Sequence, residues 1–196
     1  MRVLVACEYS GRVRQAFRCF GHDAWSCDLL ESEDNSKHHI KDDVLTVIND
    51  EWDLMIAHPP CTYLSVSGMH WTTRGLRDPK LTEDALEFVR VLMNAQIDKI
   101  CIENPVSIIS SQIRKPDQII QPWWFGDDAS KKTCLWLKNL PLLEPTNKLS
   151  GDEKTRRSNQ TESGQNKLPP SRDRWKERSR TYPGIAQAMA DKWGGL

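Results

Sequence analysis

No stretch of this chain strings together the roughly 18 to 20 apolar residues that a membrane-spanning helix needs. The opening MRVLVACEYSG turns polar too soon for a signal peptide, so an intracellular, cytoplasmic protein with no membrane partner is expected. The six cysteines, Cys7, Cys19, Cys27, Cys61, Cys101 and Cys134, include no CxxC pair. Disulfides are not expected in a reducing compartment, and no ligand spacing supports a metal site. GxxxxGK followed by Ser or Thr is missing, which excludes a phosphate-cradling P-loop. No internal repeat is found, which excludes a solenoid. A net charge is missing too, with 27 Lys and Arg against 27 Asp and Glu.

That balance conceals an asymmetry. Residues 1–147 hold 16 basic and 21 acidic side chains, whereas residues 148–180 hold 10 basic and 5 acidic. The second stretch, KLSGDEKTRRSNQTESGQNKLPPSRDRWKERSR, is nearly free of aliphatic residues and cannot fold by itself. It reads as a loop or flexible insert within a single domain spanning 1–196, the size of one domain. Two readings stand for it: a solvated linker, or a basic arm that meets phosphates through groups such as Arg172, Arg174 and Arg178.

Elsewhere apolar runs alternate with helical spacings. RVLVAC (2–7) is a short buried strand, and HDAWSCDL a second ending in acid. DLMIAH (53–58), KICIENP (99–105) and TCLWLK (133–138) are three more. GRVRQAFRCFG (11–21), DALEFVRVLMNAQ (84–96) and PGIAQAMADKW (183–193) have helical periodicity. Strands alternating with helices predict an α/β fold with a mostly parallel sheet and helices on both faces.

In such a sheet ligands sit at the carboxyl ends of the strands. The first strand ends in CEYSG, where Gly11 permits close backbone approach. The second ends in Asp28, where nucleotide-binding folds of this kind place an acid for a ribose diol. Asp42 and Asp43 follow a short loop; the pair serves either an adenine amino group or a solvated turn. Acids without a phosphate loop favour a cofactor with a ribose and no phosphates. The third strand runs into AHPPCTYLSVSG (57–68). Prolines end the strand and stiffen the loop, so Cys61 lies past the strand end at the ligand edge. Cys7, Cys27 and Cys101 lie within or at the edge of strands and read as core thiols. Glu103 lies just beyond the next strand. A thiol and a carboxyl at two strand ends form a constellation for covalent catalysis.

Pro60-Cys61-Thr62-Tyr63-Leu64-Ser65-x-x-Gly68 followed by Glu103-Asn104 resembles the cytosine-C5 DNA methyltransferases. The resemblance covers about residues 2–140 and 180–194. It implies a Rossmann-like S-adenosylmethionine-dependent methyltransferase fold and methyl transfer to cytosine in DNA. Tyr9, Ser10 and Gly11 stand at the family's cofactor loop, Asp28 at its ribose acid, Asp43 at its adenine contact and Pro60 beside the nucleophile. Cys61 would attack cytosine C6. Glu103, protonated because burial behind Ile100 and Ile102 raises its pKa, would hold the N3/N4 edge. Ser65, Asn104, Lys131 and Lys132 fall where substrate contacts lie.

Departures accompany the match. Lys131 and Lys132 stand in place of paired arginines, Thr62 in place of a glutamine, and the closing Gly-Asn is missing. The basic 148–180 segment occupies the interval of a large target-recognition domain, as in compact phage-type members. Three function classes follow. The first is cytosine methylation in DNA, single-stranded or weakly sequence-specific, with or without a protein partner. The second is another pyrimidine substrate, a nucleotide, RNA or modified base. The third is a non-catalytic nucleic-acid binder.

Overall fold

Strand β1 (Arg2–Ala6) is apolar on both sides, and that decides the architecture: Val3, Leu4, Val5 and Ala6 are all fully buried. A strand buried on both faces belongs inside a sheet covered twice. The computed structural model, which describes residues 1–196, contains such a sheet. It is completed by β2 (Asp23–Asp28), β3 (His39–Lys41), β4 (Leu54–Ala57), β5 (Lys99–Pro105), β6 (Gln118–Ile120) and β7 (Thr133–Lys138). The order is β3-β2-β1-β4-β5-β7-β6. Pairing is parallel from β3 through β5; β7 runs antiparallel to both its neighbours.

The helices are α1 (Arg12–Cys19), α2 (Val66–Thr73), α3 (Lys80–Met93), α4 (Ile109–Gln112), α5 (Arg174–Ser179) and α6 (Pro183–Trp193). Val13 and Phe17 of α1, with Ile185 and Met189 of α6, close over Val3, Val5, Leu54 and Ile56 on one face. Leu86, Val89 and Leu92 of α3 close over Leu4, Met55, Ile100 and Ile102 on the other. These clusters hold 18 and 19 buried residues, so neither face depends on solvent or a partner for cover. Burying one such side chain contributes roughly 1.5–3 kcal/mol, which makes each layer a large share of the stability. No helix is long and apolar enough to cross a membrane.

The fold is the mostly parallel α/β sheet, covered by helices on both faces, that the alternating pattern predicts. The five expected strands are β1, β2, β4, β5 and β7. β3 and β6 were not expected; at three residues each they are too short to display a period. α6 has the expected bounds, whereas α3 begins at Lys80 rather than 84, its first turn being polar and preceded by Pro79. From β1 the chain goes outward to β2, and from β4 it goes the other way to β5. The crevice between their carboxyl ends is the switch point where this architecture takes ligands.

Residues 148–180 are irregular apart from α5, as their composition implies, yet they are docked. Asn159 accepts from the Ser130 amide at 2.9 Å and donates to the Ser130 carbonyl at 3.0 Å. Arg157 is buried, its guanidinium 4.6 Å from the Trp123 ring centroid. Polar bonds and cation–π stacking replace the apolar burial that the segment lacks.

Candidate active site

Where β1 ends, Cys7 takes a left-handed backbone with φ 58°, and the chain turns sharply into Glu8. The buried Glu8 carboxylate accepts from the Val13 amide at 2.7 Å and the Arg14 amide at 3.2 Å. It therefore occupies the N-terminus of α1, the place where dinucleotide-binding sheets hold pyrophosphate. A second anion would be repelled there. Gly11 is needed twice over: its φ is 71°, and a Cβ would sit 2.2 Å from the Arg14 guanidinium. Arg14, fully buried, donates to Ser26 Oγ at 2.7 Å and pairs with Asp34, tying α1 to β2 and the loop beyond it. Ser10 Oγ donates to Glu8 at 3.4 Å.

Asp28 closes β2, and its Oδ1 accepts from the Leu30 amide at 2.9 Å. Burial pushes its carboxyl above the usual range. The Cys7 thiol is pushed far up, by burial first and then by the charges of Asp28, Cys27 and Asp43. Asp28 and Asp43 thus act on one spot beside the β1 end. Asp43 is exposed and caps the short 3-10 turn Val44–Thr46, accepting from the Leu45 amide at 3.0 Å.

The Cys61 loop is held from both sides. His58 continues the β1–β4 pairing through its amide, 2.9 Å from the Ala6 carbonyl. The Asn104 amide, at the end of β5, donates to the Pro59 carbonyl at 2.8 Å. The Cys61 carbonyl accepts from the amides of Leu64 at 3.1 Å and Ser65 at 2.9 Å, and Leu64 is a fully buried anchor. A Cβ at Gly68 would stand 2.1 Å from the Thr62 carbonyl, so the turn needs glycine there. The result is a partly exposed thiol on a fixed loop.

Glu103 lies within β5, opposite Leu135 of β7, rather than just beyond the strand as expected; its buried carboxylate, beside the thiol, places Oε2 2.8 Å from His58 Nδ1. Burial alone would raise its pKa; Lys131, His58 and the Thr133 hydroxyl together outweigh burial and hold it below the usual carboxylate range. This reverses the expectation of a protonated Glu103. Burial pushes the Cys61 thiol up; Lys131 and Arg178 pull it down, Glu103 adds to the rise, and the balance stays above the ordinary value.

The other expected residues divide. Lys131 faces the thiol and carboxylate, its Nζ 3.5 Å from the Arg180 carbonyl. Lys132 does not join it; consecutive residues diverge here, and its ammonium lies 3.9 Å from Glu153. Ser65 spends its hydroxyl on capping α2, accepting from the Gly68 amide at 3.2 Å. Asn104 is 1% exposed, so its side chain clamps the Cys61 loop instead of meeting a substrate. Pro60, Arg172 and Arg178 are exposed, and Arg174 is half-buried. α5 lies over the β1 turn: Tyr9 Oη donates to the Lys176 carbonyl at 2.7 Å, with the Trp175 ring 6.4 Å away. Arg180, paired with Glu33 and Glu177, latches the arm down.

Sequence reasoning missed His58. Its only signal was position, as the polar residue that ends the apolar run before Pro59-Pro60-Cys61.

No protein-family model matches the chain, and no curated protein does. Among solved structures it is similar to a candidate DNA modification methyltransferase encoded within a prophage (E. coli). Identity is 15% and the TM-score 0.48, over 74% of this chain and 51% of that one. The chain spans about half the length of that protein.

Proposed function

We propose that this chain transfers a methyl group from S-adenosylmethionine to C5 of cytosine in DNA, through a covalent bond from Cys61 to the base. The observation that carries the reading is the seating of Cys61 on the loop that leaves β4 and of Glu103 near the carboxyl end of the adjacent β5. One carbonyl clamp joins their loops, and a cation faces both.

The crevice fits the cofactor. Glu8 fills the α1 N-terminus, which rules out a phosphate there and suits a nucleoside linked to an amino acid. Asp28 would take the ribose hydroxyls and Asp43 the adenine edge, with Tyr9, Ser10, Gly11 and Pro60 forming the walls. Bound there, S-adenosylmethionine supplies an electrophilic methyl group.

The chain's own groups do the rest. Cytosine C5 is a poor nucleophile until a thiolate adds at C6. Lys131 and Arg178 favour the thiolate of Cys61. Glu103, as a carboxylate, accepts from the N4 amino group and fixes the ring. The base leaves its stack to reach the thiol, and Lys131, Arg172, Arg174 and Arg178 hold backbone phosphates meanwhile.

A second reading, the same chemistry on RNA or a free nucleotide, draws on the arm: α5 is held over the β1 turn by Tyr9 and latched by Arg180 to Glu33. Labelled S-adenosylmethionine incubated with DNA, RNA and cytidine nucleotides separates the readings, with the product base identified after digestion. Label in 5-methylcytosine of DNA supports the first; label only in RNA or nucleotide supports the second. Label in none overturns both.

Asp28→Ala is expected to weaken S-adenosylmethionine by about 1.5–3 kcal/mol, since hydroxyls lose a charged acceptor. Calorimetry measures it; unchanged affinity would remove Asp28 from the cofactor site.

A further inference from the structure

Glu103 and His58 form a buried pair, with 7% and 8% of their side chains exposed and Nδ1 2.8 Å from Oε2. His58 Nε2 is equally buried and has no hydrogen-bond partner. Buried polar atoms are rarely left unpaired, and leaving one so costs about 1–3 kcal/mol. A phenylalanine or leucine would fill this place without that cost. The imidazole therefore calls for an explanation.

The proposed chemistry has an unmet need at this spot. When a thiolate adds to C6 of cytosine, negative charge builds on N3, and a proton there stabilises it. Glu103 is held in its ionised form and has no proton of its own to give. Lys131, just before β7, acts on it through its charge with no hydrogen bond to it, and the Thr133 hydroxyl is no acid at neutral pH. His58 is the ionisable group in direct hydrogen-bond contact with the carboxylate. It is fixed on the same loop that carries Cys61, three residues away, so thiol and proton source move as one piece.

We propose that His58 is the proton reservoir of the site, loading N3 of the target cytosine through Glu103 as Cys61 attacks C6. The inference rests on the cytosine reading above and deepens it. His58 acts through Glu103 and is a positioning residue, not one that touches the base. The electron and proton count closes. With His58 as imidazolium, its Nδ1 proton passes to Glu103 Oε2, and the carboxyl passes a proton to N3 as the S–C6 bond forms. C5 then takes the methyl group, and its hydrogen leaves as a proton to water. The S–C6 bond breaks with its electrons returning to sulfur, and the N3 proton goes back through Glu103 to His58. No oxidant or reductant is consumed. The charged and titratable groups around the pair are Cys61, Lys131 and Arg178 on the thiol side, Asp28 at the end of β2, and the thiols of Cys101 on β5 and Cys134 on β7.

The pair must hold its extra proton and Cys61 must lose one, so turnover should fall on both sides of an optimum. His58→Asn keeps a donor toward Glu103 but carries no exchangeable charge. Its kcat should drop about 10²-fold at the wild-type optimum. S-adenosylmethionine affinity should stay unchanged, and the alkaline limb, where rate falls as pH rises, should disappear. A parallel drop at every pH would reveal a merely structural role and overturn the proposal, as would unchanged kinetics. His58→Gln serves if the Asn variant loses cofactor binding. The wild type tested with DNA containing 5-fluorocytosine keeps the two levels apart. A covalent adduct together with unaltered His58→Asn kinetics removes only the His58 role, whereas absence of any adduct or transfer removes the cytosine reading and this inference with it.

Discussion

Cys61→Ser is expected to abolish methyl transfer while S-adenosylmethionine affinity stays within about threefold, a change of under about 1 kcal/mol. The serine hydroxyl ionises far above neutrality and is far weaker as a nucleophile there than a thiol. The loop itself should survive, because its contacts are made by the Cys61 carbonyl, Asn104, Leu64 and Gly68 rather than by the sulfur. Cofactor binding should survive because Asp28 and Asp43 lie on other strand ends. In wild-type protein, 5-fluorocytosine in the substrate should trap the adduct, since C5 then has no hydrogen to release as a proton. The trapping rate should rise with pH on the acid side of its optimum, as the raised Cys61 thiol ionises. Gel mobility of the adduct and mass of the Cys61 peptide read this directly. A serine variant with near-normal turnover would end the covalent mechanism.

The elements that the sequence announced are those whose hydrophobic period is long enough to count. β1 and β5 are continuous apolar runs buried on both faces and α6 buries one helical face, so their bounds follow the pattern to within a residue. β3 and β6 are held in place by their neighbours and have no pattern of their own. The site was legible as far as residue type and strand-end position carry it, which is why Cys61, Glu103 and Asp28 fall around one crevice. What position cannot supply is where a side chain spends its bonds. Asn104 and Ser65 lie beside the site, yet the first holds Pro59 and the second caps α2. The ionisation of Glu103 also escaped, because burial was visible in the flanking isoleucines, whereas Lys131 and His58 come from elsewhere in the chain. The arm misled in the same way. A composition too polar to form a core can still dock when a buried Arg157 stacks on Trp123 and Arg180 finds Glu33.

Glu103→Gln carries the other large effect, and it comes in two opposed parts. The amide matches the carboxylate in shape, so the fold and the β5–β7 pairing should hold. On the proposed mechanism the site loses its carboxylate toward N4 and the path by which a proton reaches N3. Turnover should fall about 10²–10⁴-fold, the range for losing a positioned acid or base. Cys61 should respond in the other direction. Glu103 pushes its thiol up, and Lys131 and Arg178 pull it down. Removing the negative charge leaves the cations unopposed, so the thiol becomes more acidic and a larger fraction ionises at neutral pH. Alkylation of Cys61 by iodoacetamide should therefore speed up in the variant that has lost methyl transfer. The exposed Cys19, at the far end of α1, serves as internal control and should react at the same rate in both proteins. Peptide mass spectrometry after timed quenching gives both rates in one experiment. If Glu103→Gln turns over like wild type, the carboxylate does not hold the base. If turnover collapses while Cys61 alkylation slows, then Glu103 does not oppose the thiolate as its position beside Cys61 requires, and the electrostatic account of the thiol fails.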